Sequence, residues 1–207
     1  QMRHVHVGVV KVLVYDKVNR SNFITFFPNI VDRSIERLKI FNANNHSNDV
    51  FFALSHGVGT GKLRIKNSIL EDKNPRVKIL DYLISNNTNI KFKFYGYKDI
   101  QPVWASKFEE EIQTCYMGLC LQRKPQLKYS LSDRISQYAG NGLMTFIEND
   151  THMHDFLKRD EDAVYFDDQN DLLEKIKYYK ENKSHALKIA ESGYKKLHKH
   201  CNESIIT

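Results

Sequence analysis

Short apolar runs recur along this chain with helix-patterned segments between them. Residues 49–54 (Asp-Val-Phe-Phe-Ala-Leu), 90–95, 116–121, 143–147 and 164–166 read as strands. A strand that is apolar on successive residues needs cover on both faces, and alternating helices supply that cover when the strands align in parallel. Residues 9–15 and 23–27 add two earlier short strands, the second stopped by Pro28-Asn29. The expected fold class is therefore α/β, with a mainly parallel sheet between helix layers and the α/β domain starting almost at residue 1. With 207 residues, 41% of them hydrophobic and 12% aromatic, the chain can bury one sizeable core. A single domain over residues 1–207 follows.

The intervening segments carry helical spacing. Val31, Ile35, Leu38 and Phe41 suggest a modest helix, and Val77, Leu80, Leu83 and Ile84 share a face of a second that starts near Pro75. Residues 104–115 read as a helix with Phe108 and Ile112 inward and Glu109, Glu110 and Glu111 in its middle. Residues 133–138 form the core of a short helix, and the chain from Asp171 is helical, broken near Asn182-Lys183.

Several classes are excluded. Charged residues make up 27%, Gly and Pro are sparse, and no stretch of about 18 apolar residues occurs, so neither disorder nor a membrane span is supported. The opening residues show no signal peptide. A net charge of +6 favours anionic partners, although many lysines interleave with glutamates, as on a solvated helix surface. No RRM-like or helix-turn-helix signature supports nucleic-acid binding. Cys115, Cys120 and Cys201 lack C-x-x-C spacing, which argues against disulfides or zinc and for a cytoplasmic protein. Cys115 and Cys120 flank a buried strand and read as inert core residues. His152-x-His154 and His4-x-His6 lack further ligands, so no metal is expected.

Two clusters carry candidate chemistry. Directly after the 49–54 strand come Gly57, Gly59, Gly61, Lys62 and Arg64, where open α/β sheets bind ligands. The glycines let the backbone approach a phosphate, and Lys62 and Arg64 supply cationic donors. The loop is neither a Walker A motif, because Leu63 follows Lys62, nor a dinucleotide fingerprint, because its third glycine comes one residue early. A structural turn explains the glycines equally well. The second cluster runs from Tyr129 and Ser130 through Ser132, Asp133, Arg134 and Gln137 to Gly140-Asn141-Gly142. Ser130 or Ser132 can cap a helix and Asp133 suits its first turn, whereas Arg134 and Gln137, three apart on one side, have no such explanation.

From Tyr129 to about His200 the chain resembles the C-terminal domain of GT-B glycosyltransferases, particularly the CgeB-like and lipopolysaccharide glycosyltransferase group. The residues that carry the resemblance are the Asp133-Arg134 helix ending in Ala139-Gly140-Asn141-Gly142, the following strand, and Tyr165-Phe166-Asp167-Asp168. The Leu172-Leu173-Glu174-Lys175-Ile176 helix and the closing helix around Ile189-Ala190-Glu191-Ser192-Gly193-Tyr194 complete the pattern. Phe27-Pro28-Asn29, the glycine loop and Phe94-Tyr95-Gly96 fall where that fold would have them, so the likeness covers most of the chain.

The resemblance implies a Rossmann-like three-layer αβα domain that holds a nucleotide-diphosphate sugar across a cleft from an N-terminal GT-B domain not contained in this chain. Gly57, Gly59, Gly61, Lys62 and Arg64 would lie near the diphosphate, and Gly96 and Tyr97 near the base. Asp133, Arg134 and Gln137 would approach the sugar, ribose or phosphates. Where retaining enzymes carry two glutamates, this chain has Tyr129 and Gln137, which leaves donor identity and stereochemistry open. Lys62, Arg64 or Arg134 would stabilise the departing diphosphate without a cofactor or metal, and no residue is nominated as a general base. Trp104 could stack on a base, pack in the core or meet the other domain. The implied function is donor binding for transfer to a glycan or lipid-linked acceptor, as in lipopolysaccharide biosynthesis, in a cytoplasmic protein whose basic face could rest on the inner membrane. The alternative is a degenerate, non-catalytic GT-B recognition module.

Overall fold

The computed structural model describes residues 10–16, 21–27, 31–54, 74–87, 89–122 and 132–202. In chain order the elements are β1 (Val10–Asp16), β2 (Ser21–Phe27), β3 (Val50–Ala53), α1 (Pro75–Ser85), β4 (Phe92–Tyr95), α2 (Ala105–Ile112) and β5 (Met117–Cys120). Then come α3 (Asp133–Asn141), β6 (Met144–Glu148), β7 (Val164–Phe166), α4 (Gln169–Glu181) and α5 (Lys183–His200). Strands β3 to β7 form one parallel sheet in the order β4-β3-β5-β6-β7. This is the expected Rossmann-like α/β fold.

Every residue of β5 is buried, as are the first three of β3 and of β7. Successive side chains of β3 enter different cores. Val50 and Phe52 pack with Leu80, Leu83 and Ile176, while Phe51 packs with Ile112, Ile135 and Tyr138. Helix layers therefore cover both faces, which is why these strands read as continuous apolar runs rather than alternating ones. The helix starts are locally encoded. Asn74 accepts from the Arg76 N–H just ahead of Pro75, and the Asp168 carboxylate accepts from the N–H groups of Asn170 and Asp171.

Three expectations need correction. β1 and β2 do not join the parallel sheet but pair with each other, antiparallel, from Val10↔Phe27 to Asp16↔Ser21. So few residues separate them that no parallel crossover is possible. The parallel sheet thus begins with β3. The helix expected over Val31–Phe41 is instead a turn at Asp32–Glu36 followed by a single 3-10 turn, Ile40–Asn42. Lys39, at φ 47°, breaks the register, and the Asn141 side chain accepts from the N–H groups of Arg37 and Leu38, which a continuous helix would use itself. Ile35 is consequently 54% exposed. On α1, Val77, Leu80 and Leu83 are buried, but Ile84 is 44% exposed.

The three cysteines are buried and unpaired. Burial pushes the Cys115 thiol up to about 12 and the Cys201 thiol up to about 11, and raises that of Cys120 as well. Iodoacetamide at pH 8 should therefore label none of them in the native protein while labelling all three after denaturation, read by intact mass.

Glu111 ties α2 to the sheet. Its carboxylate lies 2.7 Å from Lys93 Nζ on β4 and 2.9 Å from Lys107 Nζ one helical turn away, with only 11% of the side chain exposed. Lys93 first, then Lys107, hold it down at about 2, below its ordinary 4.5. The folded state therefore binds this proton less readily than the unfolded one. The stability it contributes is complete above about pH 4.5 and disappears as pH falls toward 2. Glu111→Gln should lower stability at pH 7 and flatten the acid-unfolding curve across that window, as followed by circular dichroism.

Candidate functional site

The sheet opens where its strand order reverses. β3 pairs with β5 only at Val50↔Met117 and Phe51↔Gly118. Two residues further, at Ala53, the backbone turns to α3 for its partners. The Ala53 N–H donates to the Tyr138 hydroxyl at 3.0 Å, and its carbonyl accepts from Arg134 Nε at 2.9 Å. Two side chains of α3 thus take hydrogen bonds that a neighbouring strand would otherwise supply. Such a reversal, at the carboxyl ends of parallel strands, is where open α/β sheets form ligand crevices.

A cleft of about 390 Å³ lies there. Ala53 and Leu54 contribute from the end of β3, while Trp104 and Phe108 line it from α2 and its approach. Ser132, Asp133, Arg134, Gln137 and Asn141 line it from α3, and Ile35 and Glu36 from the turn ahead of β3. Arg134 is built into place. Ser132 Oγ caps α3 by accepting from the Arg134 N–H at 3.2 Å and also accepts from Nη1 at 3.1 Å, while the guanidinium sits 5.1 Å from the Phe52 ring centroid. A guanidinium has five N–H donors, so capacity remains after these bonds. The start of α3 adds the positive end of the helix dipole. The far end of the same helix stops at Gly142, in a left-handed conformation at φ 87°.

Among the residues expected at the site, Asp133, Arg134 and Gln137 all line this cleft. Gly57, Gly59, Gly61, Lys62, Arg64, Tyr129 and Ser130 lie outside the described residues. Gly96 and Tyr97 do not line the cleft. Tyr97 is buried in the core, and its hydroxyl donates to Asp81, which Lys98 also contacts at 2.6 Å. Gly96 faces the backbone of Leu54 and so shapes the cleft from behind. Trp104 is 59% exposed at the cleft wall rather than in the core. Sequence reasoning missed Glu36, because the segment that carries it was read as helix, and Asn141, whose glycine neighbours drew attention to the helix stop instead. Among the described residues there is no cluster of three or more potential metal ligands. None of their helices is long and apolar enough to cross a membrane.

A parallel sheet covered on both faces, with a crevice of mixed apolar and polar lining and a fixed arginine at its reversal point, is an arrangement that can hold a phosphorylated ligand. Residues 76–204, more than half of the chain, match the model of the glycosyl transferase-like family, and the chain belongs to that family. Among solved structures it is similar to TarM at 11% identity and TM-score 0.55, covering 79% of this chain and 34% of that one. It is also similar to the C-terminal domain of LpcC, a glycosyl transferase group 1 family protein from Francisella tularensis, at 12% identity and TM-score 0.51, covering 84% of this chain and 99% of that domain. A third is an α-glucosyltransferase in complex with UDP-glucose and DNA containing an abasic site, at 14% identity and TM-score 0.52, covering 87% and 55%. The chain thus spans about a third of TarM and nearly all of the LpcC domain. The fold is that of a GT-B C-terminal domain. No curated protein matches the sequence.

Proposed function

We propose that this chain is the donor-binding domain of a glycosyltransferase and holds a nucleotide-diphosphate sugar in the cleft at the β3–β5 reversal. The observation that carries this reading is Arg134, fixed by Ala53 and Ser132 at the mouth of that cleft, beside the start of α3. A guanidinium and a helix N-terminus together suit a diphosphate. In the transfer step the bond between the sugar's anomeric carbon and the diphosphate oxygen breaks, the acceptor oxygen bonds that carbon, and the acceptor's proton passes to a base. Arg134 and its neighbours stabilise the charge left on the nucleotide diphosphate, without a metal.

The acceptor would be held by an N-terminal GT-B domain facing this cleft, and the base of an inverting reaction would come from that domain or from the acceptor, so this domain by itself binds donor without turning it over. UDP-sugars come first among donors, since one similar structure is in complex with UDP-glucose. The reading extends to the CgeB-like and lipopolysaccharide group, with a glycan or lipid-linked acceptor at the cytoplasmic face of the inner membrane. A thermal-shift panel of UDP, GDP, ADP, CMP and their sugar conjugates tests the core of it. A ligand that binds only the native state raises the melting temperature, and one nucleotide diphosphate should stand out. A flat panel with both this chain and the two-domain protein would favour a recognition module that has lost donor binding.

A further inference from the structure

β1 and β2 form a sheet of two strands only. All seven residues of each are paired, from Val10↔Phe27 to Asp16↔Ser21, and among the described residues no further strand joins either one. A lone hairpin is marginally stable in water, and a sheet needs three or more strands to hold by itself. Each strand also keeps an outer edge, on which alternate residues present backbone N–H and C=O groups without a ladder partner.

The two outer edges differ in charge. β1 reads Val-Lys-Val-Leu-Val-Tyr-Asp, with Lys11 and Asp16 near its ends. Charges of this kind keep an edge in water and away from other strands. β2 reads Ser-Asn-Phe-Ile-Thr-Phe-Phe, seven residues with no charge and no proline. The edges of the parallel sheet are guarded, since β4 carries Lys93 and β7 is only three residues long. Among the described strands β2 is therefore the one long edge without a guard. Its sequence suits a strand in the middle of a sheet.

Charge also limits what can cover it. The covering strand has to be neutral opposite Phe23, Ile24 and Phe26, and β2 itself meets that requirement. Paired antiparallel with its own copy about Ile24, it matches over its whole length. Ile24 stands opposite Ile24, Phe23 opposite Thr25, Asn22 opposite Phe26 and Ser21 opposite Phe27. No charge is set against an apolar residue, and the Phe23 and Thr25 positions form the aromatic and β-branched pairs that favour a sheet. The arrangement has a closed two-fold symmetry and leaves the charged β1 strands outermost.

We propose that β2 is the docking edge for a second copy of this chain, so that two hairpins form one four-stranded antiparallel sheet in the order β1-β2-β2-β1. No residue of β2 lines the cleft, so the dimer stands apart from the donor-binding function.

Sedimentation equilibrium and native mass spectrometry of the chain test this. The wild type should run at twice the chain mass. Ile24→Lys and Ile24→Glu should each lose the dimer, because like charges would stand directly opposite across the two-fold axis. Mixing the two variants should restore a dimer that contains one of each. Leu13→Lys is the control, since Leu13 is the partner of Ile24 within the hairpin but lies on the guarded strand, and it should stay dimeric. A wild type that is monomeric throughout, or a dimer that survives Ile24→Lys, would overturn the proposal. Dissociation by Leu13→Lys as complete as by Ile24→Lys would also overturn it, by moving the contact from the β2 edge to a face of the hairpin. Failure of the mixed variants to associate would rule out the pairing about Ile24. Should the Ile24 variants not fold, as read by circular dichroism, Thr25→Lys and Thr25→Glu place their charges at a position that is already polar and are read in the same way.

Discussion

Gly96→Ala should unfold this domain at a markedly lower temperature than the wild type. Gly96 follows β4 at φ 66°, and a Cβ there would lie 1.8 Å from the carbonyl oxygen of Leu54 and 2.7 Å from its carbonyl carbon. Both obstacles are backbone, and Leu54 is held to β4 by its N–H donating to the Tyr95 carbonyl at 2.8 Å, so neither side can turn away as a flexible side chain would. A left-handed conformation costs an alanine about 1–3 kcal/mol, and forcing atoms into packed structure adds about as much again. A loss of about 4 kcal/mol is a large part of a stability of about 5–15 kcal/mol, and corresponds to a melting temperature lower by roughly 10 °C for a domain of this size. Calorimetry measures it directly. Because Leu54 lines the cleft, whatever Gly96→Ala protein remains folded should also bind ligand more weakly. A melting temperature within a degree or two of wild type would show that the β3 and β4 ends are not locked together as described.

Arg134→Ala should have the largest effect on binding. The guanidinium serves two ends, holding the Ala53 carbonyl at 2.9 Å and facing the cleft, so its removal acts on both. Loss of the bond to Ala53 and of the contact with Phe52 should cost about 1 kcal/mol of stability. Loss of charge-assisted bonds to a diphosphate should cost about 2–3 kcal/mol of binding, or roughly 100-fold in Kd. Arg134→Lys separates fork geometry from charge. It should recover only part of the affinity, because an ammonium cannot donate to Ala53 and Ser132 while also meeting a phosphate in a planar fork. Titration calorimetry at fixed ionic strength reads both variants. Arg134→Ala binding as tightly as wild type, with the fold intact, would remove the arginine from the site.

Much of the fold was legible because its signals are local. Apolar runs marked β3 and β5 to β7, alternating apolar and basic residues marked β4, and Pro75 marked the start of one helix, since burial and the first helical turn act within a few residues. What misled was the segment from Val31 to Phe41. Its apolar spacing fits a helix, but the outcome turns on Asn141, a hundred residues away in the chain, which takes the N–H groups of Arg37 and Leu38. The hairpin of β1 and β2 was legible as two strands but not as a separate sheet, because periodicity carries no information about partners.

The site was legible where chemistry outran structure. Arg134 and Gln137 stood out because helix capping explained Ser132 and Asp133 but not them. Gly96 and Tyr97 were given a ligand role by the family resemblance alone; in the structure Gly96 crosses the backbone of Leu54 and the Tyr97 hydroxyl donates to the half-exposed Asp81. Glu36 gave no sequence signal at all, since a glutamate four residues after an aspartate is ordinary in a helix and only the fold brings it to the cleft.

The most direct test of the account is to map ligand-induced amide shifts in the isotope-labelled chain by NMR, adding the nucleotide-diphosphate sugar that the thermal panel selects. The largest shifts should fall on Ala53, Leu54, Arg134 and Gln137, with Glu36 and Trp104 responding and His152 to Asp155 unmoved. Saturable shifts centred elsewhere on the sheet, with the α3 amides silent, would contradict it.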